Sequence, residues 1–253
     1  MAEHGAPRPE LPGALPQPPW APERPYAIGG LTTAVTVLLA AGAVASAAAI
    51  VSGFFDLALI DRLLDGERVS QDEIDANDAH IVATGLVGGV LQLATVVVFL
   101  IWFYRAYANV RRLGVRNLRY RTGWSIGAWF VPILNFFRPK QIANDVWRGS
   151  DPRMPAPAPP AWHQNPVPAL LHWWWAGWLT SSVLYAVASG LYDDFDLEGQ
   201  RSGATVYIVS DGLSIMSALI LIVIVRRVRE RQELRASAVS VRVAPEAPEG
   251  FVP

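Results

Sequence analysis

The sequence predicts an all-α membrane protein with four transmembrane helices. Between the second and third it predicts a cytoplasmic aromatic segment that is interfacial or re-entrant. Three observations carry this reading. The 253 residues are 52% hydrophobic and only 17% charged, whereas a soluble domain carries about a quarter charged residues. Four apolar runs, at about 28–55, 81–104, 170–192 and 204–225, contain a single charged residue, Asp211. Each reaches the roughly 20 residues that a helix needs to cross hydrocarbon, and a helix satisfies its own backbone there. The flanks of these runs alternate between acidic and basic.

Residues 1–27 hold eight prolines and read as a disordered tail, because such a composition cannot bury a core. In the first run, Ala45-Ser46-Ala47 resembles a signal-peptide cleavage site. The tail before it has no positive excess and the apolar run continues past it, so a retained span is expected.

An acidic segment, "DLALIDRLLDGERVSQDEIDANDAH", follows. Within it, Ser70-Gln71-Asp72-Glu73 fits a capping box, which starts the second helix near Gln71, before the membrane. That helix should run on through "WFYRAYANVRRLG", with Gly114 at the position just past its end. Gly85 and Gly89 on it should admit close approach of the first span at Ala41, Ala45 and Ala49.

The central loop, Arg105 to Ala169, has ten Lys or Arg residues and two acids; the short loop before the fourth span has four acids and one arginine. The positive-inside rule therefore places both termini and the central loop in the cytoplasm of the cell. Residues 236–253 read as a second disordered cytoplasmic tail.

Within the central loop, the run from Gly123 to Phe137 is too short to span, and Pro132 interrupts it. Trp124, Trp129, Phe130, Phe136 and Phe137 are residue types that settle at headgroup level. Arg116, Arg119, Arg121, Arg138 and Lys140 would meet anionic lipid there. Pro139 fits the first turn of a short helix ending before Ser150-Asp151-Pro152. Its apolar face is Ile142, Val146 and Trp147, with Gln141, Asn144, Asp145 and Arg148 elsewhere.

"FYRAYANVRRLG" and "GWSIGAWFVPILNFFRPKQIANDVWRGSDP" resemble the bacterial integral membrane family catalogued as "domain of unknown function 4328". The matching positions are Tyr104, Arg105, Tyr107, Asn109, Trp124, Trp129, Phe130, Pro132, Asn135, Pro139, Trp147, Arg148 and Ser150. The resemblance covers most of residues 28–235. It implies the membrane architecture and supplies no activity.

Asp211 is the one acid inside a span, a costly position that points to the bundle interior. Gln92, Ser181, Ser182 and Tyr185 are its expected partners, and Asp211, Gln92 and Tyr185 form a candidate intramembrane polar site. The candidate interfacial surface comprises Arg105, Asn109, Arg119, Arg121, Trp124, Trp129, Phe130, Pro132, Asn135, Arg138, Pro139, Lys140, Trp147 and Arg148. "HWWWAGW" at the start of the third span reads as an aromatic anchor. The chain has no cysteine, and its four histidines match no ligand spacing. No catalytic motif is present, and no metal, cofactor or nucleic-acid partner is expected.

The leading functional reading is a non-enzymatic module in the cell membrane. Its cytoplasmic aromatic–basic surface would bind anionic lipid headgroups or an unknown membrane or cytoplasmic protein. One alternative is a small transporter or channel component using Asp211. The other is an interfacial lipid-modifying enzyme, for which the loop offers only Asp145 and Asp151 as acids.

Overall fold

In a computed structural model, residues 23–192 and 196–243 are described, with 240–243 given by backbone alone. Four long helices build the molecule: α1 (Gly29–Leu64), α2 (Gln71–Arg112), α5 (Ala169–Leu191) and α6 (Leu197–Val243). The α2–α5 connection holds α3 (Trp124–Gly127), a 3-10 turn at Ile133–Phe136, α4 (Arg138–Gly149) and a second 3-10 turn at Trp162–Gln164. Among the described residues there is no strand.

Local chemistry sets the helix ends. The Ser70 side chain accepts from the Glu73 amide while the Glu73 carboxylate accepts from the Ser70 amide, a complete capping box. At the other end of α2, Gly114 takes φ +86°, where a side chain would be strained. Its amide donates to Arg111 O and closes the last turn.

α1 and α6 form the central pair. α1 also packs on α2, and α6 on α5, while α2 and α5 make little backbone contact. A cleft therefore lies between α2 and α5, and the connection fills one end of it. A bond from Trp102 Nε1 to Thr32 Oγ1 (2.9 Å) joins α2 to α1 near that end. At the far end Asn77 donates to Asp56 (2.8 Å), and Ser52 meets His80 Nδ1 (2.7 Å).

α1, α2 and α6 are each long and apolar enough to cross a membrane by length and composition. Only 6% of the most apolar stretch of α1 is buried inside the molecule. Val44, Phe54, Leu86, Val90 and Leu93 all lie open. An apolar belt of this extent is costly against water, at about 25 cal/mol per Å². α5 is not among the three. Its tryptophans, Ser181, Ser182 and Tyr185 add polar atoms to its 23 residues.

Several sequence expectations change. Residues 1–22 and 244–253 of the two expected tails lie outside the described residues. The remaining residues, 23–27 and 236–243, pack on or continue the helices. Glu23 N donates to Arg112 O (3.0 Å), and the Arg112 guanidinium lies over the Tyr26 ring (3.9 Å). α6 continues past Ala236 to Val243, with Val239 buried. No glycine or proline interrupts residues 226–243, so nothing stops the helix. The expected glycine contact is also absent. A Cβ on Gly85 or Gly89 would meet nothing within 4 Å, because α1 packs on another face of α2.

Candidate functional site around the α2–α5 connection

The aromatic segment folds as a hairpin of two short turns because Pro132 interrupts any continuous helix. Trp129 is its inward anchor. Its ring meets Phe99 and Phe103 of α2 edge-on at 5.7 and 6.2 Å. It also meets Trp175 and Trp178 of α5 at 6.0 and 5.4 Å. Phe99 lies about 9 Å back from Arg105 along α2 at 1.5 Å per residue. The hairpin therefore reaches beyond the charged end of the helix and bridges the cleft. Phe130, Ile133, Phe136 and Phe137 stay exposed on its outer side, Phe130 at 70% and Ile133 at 75%. Pro132 is exposed at the same tip, and Asn135 is half-buried with an Oδ1 that has no partner.

Cations border this apolar tip. Arg138 stacks over Trp124 (4.1 Å) and Tyr120 (5.1 Å), an arrangement that suits a flat guanidinium. Lys140 Nζ donates to Asn144 Oδ1 (2.7 Å). Burial first, and the Arg148 charge second, depress Lys140 to about 8. Arg121 is exposed. Arg105 is also exposed and reaches Ala27 O (3.4 Å).

α4 lays one face on α2. Pro139, Ile142, Val146 and Gly149 repeat at helical spacing and are buried. A Cβ on Gly149 would collide with Val110, so glycine sets how closely α4 approaches α2. Asp145 is on this buried face as well, at 0% exposure, contrary to its expected polar position. Trp147 is only half-buried and lies under the Arg231 guanidinium (4.5 Å).

The Asp145 carboxylate is unusual. Neither oxygen has a hydrogen bond. Arg119 Nε stands 3.6 Å from Oδ2, and Arg148 Nη1 stands 3.8 Å from Oδ1. These are ion-pair distances beyond hydrogen-bond range. Burial pushes the group up to about 6, while the Arg119, Arg148 and His163 charges oppose that rise.

A second polar centre lies where α2, α4 and α6 meet. Asn109 accepts from Tyr26 N (2.7 Å) and donates to Tyr26 O (3.0 Å) and Gln232 Oε1 (2.9 Å). Gln232 donates to Ala106 O (2.9 Å) and Ser150 Oγ (3.1 Å). Arg235 is at 0% exposure. Its guanidinium donates to the carbonyls of Leu113, Asp151, Met154 and Pro155 at 2.7 to 3.4 Å. Sequence reasoning reached Asn109 and missed Gln232 and Arg235, which sit beyond the apolar run of α6.

Of the intramembrane candidates, Tyr185 lies within electrostatic reach of Asp211, but the hydrogen bond of Asp211 goes to a residue outside the expected set. Asp211 accepts from Ser46 of α1 (3.0 Å). Ser181 and Ser182 instead donate to Trp178 O. Tyr185 packs on Tyr207 at 5.1 Å, and Gln92 is exposed on α2. Among the described residues no group of three or more His, Asp or Glu side chains could hold a metal ion.

The class that emerges is an all-helical protein with membrane-like helices, bound at one end by an aromatic and polar connection. The family described as "Domain of unknown function (DUF4328)" matches residues 65–230. The chain belongs to that family, which covers α2 through most of α6. No curated protein and no solved structure matches it.

Proposed function

We propose that the chain is a non-enzymatic, four-span protein of the cell membrane whose cytoplasmic re-entrant segment seats anionic lipid headgroups. α5 serves as the third span. It pairs along its length with α6, and a tryptophan-rich end suits the headgroup level. The basic connection then faces the cytoplasm together with both termini.

One observation carries the lipid reading. Trp129 is anchored between α2 and α5, while Phe130, Ile133, Phe136 and Phe137 remain exposed beside stacked Arg138. In water those four side chains are an unrelieved cost. In a bilayer they insert, and each nearby cation adds about 1 kcal/mol at an anionic surface.

The cysteine-free sequence makes a direct test available. Single cysteines at Ser70 and Glu198 should react with an impermeant reagent in intact cells, and those at exposed Arg116 and Glu233 should not. A fluorophore on a cysteine at Ile133 should be quenched by lipid-borne quenchers in nanodiscs and shielded from aqueous ones. Phosphatidylglycerol should bind the purified chain more tightly than phosphatidylcholine. Aqueous quenching at Ile133 together with equal binding of both lipids would overturn the reading.

A further inference from the structure

We propose that Arg119 and Arg148 hold the phosphate of an anionic lipid headgroup, and that this binding is coupled to uptake of a proton by Asp145. The inference rests on the lipid-seating function proposed above and gives that surface its regulation.

Geometry is the starting point. A buried ionised carboxylate ordinarily accepts several hydrogen bonds. Asp145 has no exposed surface and accepts none. The two guanidinium groups stand one to each oxygen, at 3.6 and 3.8 Å, attracted but not bonded. Arg119 forms no hydrogen bond with another described residue, and 39% of its side chain is exposed. Arg148 is tethered through Nε to Asn165 O (2.6 Å), which leaves Nη1 toward Asp145, and 16% of its side chain is exposed. Both cations are thus placed to accept a better anion than the one behind them.

The surroundings favour an anion. From α2, Tyr107 faces Asp145, with its hydroxyl engaged by the Tyr120 backbone. His163 acts on it from the second 3-10 turn. On α4 itself Lys140 lies within reach of Arg148. From α5, His172 lies within reach of both Lys140 and Arg148. Arg231 of α6 is engaged by Asp151 and Trp147. Asp145 is the one carboxylate among these groups that Arg119 and Arg148 share.

A phosphodiester accepts two parallel bonds from a guanidinium. Its charge would offset the field of both arginines. That field is what opposes the cost of burying ionised Asp145, so the carboxylate would take a proton from solvent as the phosphate docks. By reciprocity acid must strengthen phosphate binding. A lipid is favoured over a free phosphate because Tyr120, next to Arg119, lies under Arg138, which also covers Trp124 beside the exposed apolar tip.

The experiment uses the full chain in a zwitterionic detergent and dihexanoyl-phosphatidylglycerol as the probe, titrated at pH 5 and pH 7.5. The wild type should bind about tenfold more tightly at pH 5. Asp145→Asn should bind alike at both pH values, and Arg119→Gln should bind weakly at both. The pH dependence should survive in His163→Gln and His172→Gln. An infrared band of a protonated carboxyl should titrate in the wild type, and the probe should move its midpoint upward. That measurement needs no variant to fold. Pairing of pH-independent binding with an intact preference for phosphatidylglycerol would overturn the coupling and leave the lipid-seating function standing. Absence of any such preference would remove both. Equal binding of inorganic phosphate would overturn the lipid source.

Discussion

Arg235 and Asp145 are both fully buried ionisable groups in the same α2–α4–α6 packing, yet their surroundings are opposite. Four backbone carbonyls surround Arg235. Asp145 has two cations nearby and no hydrogen bond at all. A buried charge is tolerated when its hydrogen-bonding capacity is filled and is costly when it is not. Arg235 therefore reads as a permanent clamp. It gathers the open end of α2 at Leu113 and the turn after α4. Asp145 reads as a group whose charge the fold leaves adjustable.

The clamp predicts the largest effect. Arg235→Met would leave the Leu113, Asp151, Met154 and Pro155 carbonyls without this donor. Each buried carbonyl stranded in this way costs about 1–3 kcal/mol, and four are affected together. Thermal unfolding in detergent should show a large loss, with reduced abundance in membranes. Arg235→Lys should recover only part, since an ammonium cannot reproduce the guanidinium fork. A Met variant with wild-type stability would show that the carbonyls find other donors and would erase the contrast with Asp145.

Next in size is Gly149→Ala. The new methyl would collide with Val110 and push α4 off α2, at about 1–3 kcal/mol. Both centres hang on this contact, because Asp145 precedes Gly149 by one turn and Ser150 follows it. The substitution should also weaken the response of any probe placed at Asp145.

Asn109→Leu and Gln232→Leu should each cost about 1–3 kcal/mol, because each strands the partners of the lost amide. The double variant should cost less than the sum, since the two side chains serve one another at 2.9 Å. Strict additivity would mean that the amides act apart.

The contrast between the two centres also marks what the sequence could reveal. Helical segments were legible where local chemistry decides them: the Ser70–Glu73 box, Gly114, and the proline interruption at Pro132. Trp129 as an inward anchor follows only from the cleft between α2 and α5, which no local pattern encodes. Arg235 was missed because it closes the basic flank after the fourth span, directly before the residues 236–253 that read as a tail, where nothing local marks burial. The absence of glycine and proline from 226 to 243 was the available signal. Asp145 is three residues after Ile142 and three before Arg148, so it borders both faces of α4. Its burial depends on how closely Gly149 lets that helix approach. Gly85 and Gly89 carried the reverse error, because a pattern suited to packing meets no neighbour among the described residues.

The smallest predicted effect is the most specific. Burial raises the folded Asp145 carboxyl from 3.8 to about 6. A raised acid means that the folded state binds the proton more tightly than the unfolded chain. Stability at this group is therefore greatest below the unfolded value and falls as pH rises toward the folded one. The window runs from about pH 4 to pH 6, and above it the cost persists. Asp145→Asn stays neutral throughout, so it should flatten the decline in melting temperature across this window. At pH 7.5 it should be as stable as the wild type or slightly more so. Arg119→Gln should carry the decline on to higher pH, because it removes one of the two charges that favour the ionised form. A chain with Asp145 intact and His163 and His172 replaced whose stability rises through this window would mean that Asp145 is ionised and well bonded. The difference between it and Arg235 would then vanish.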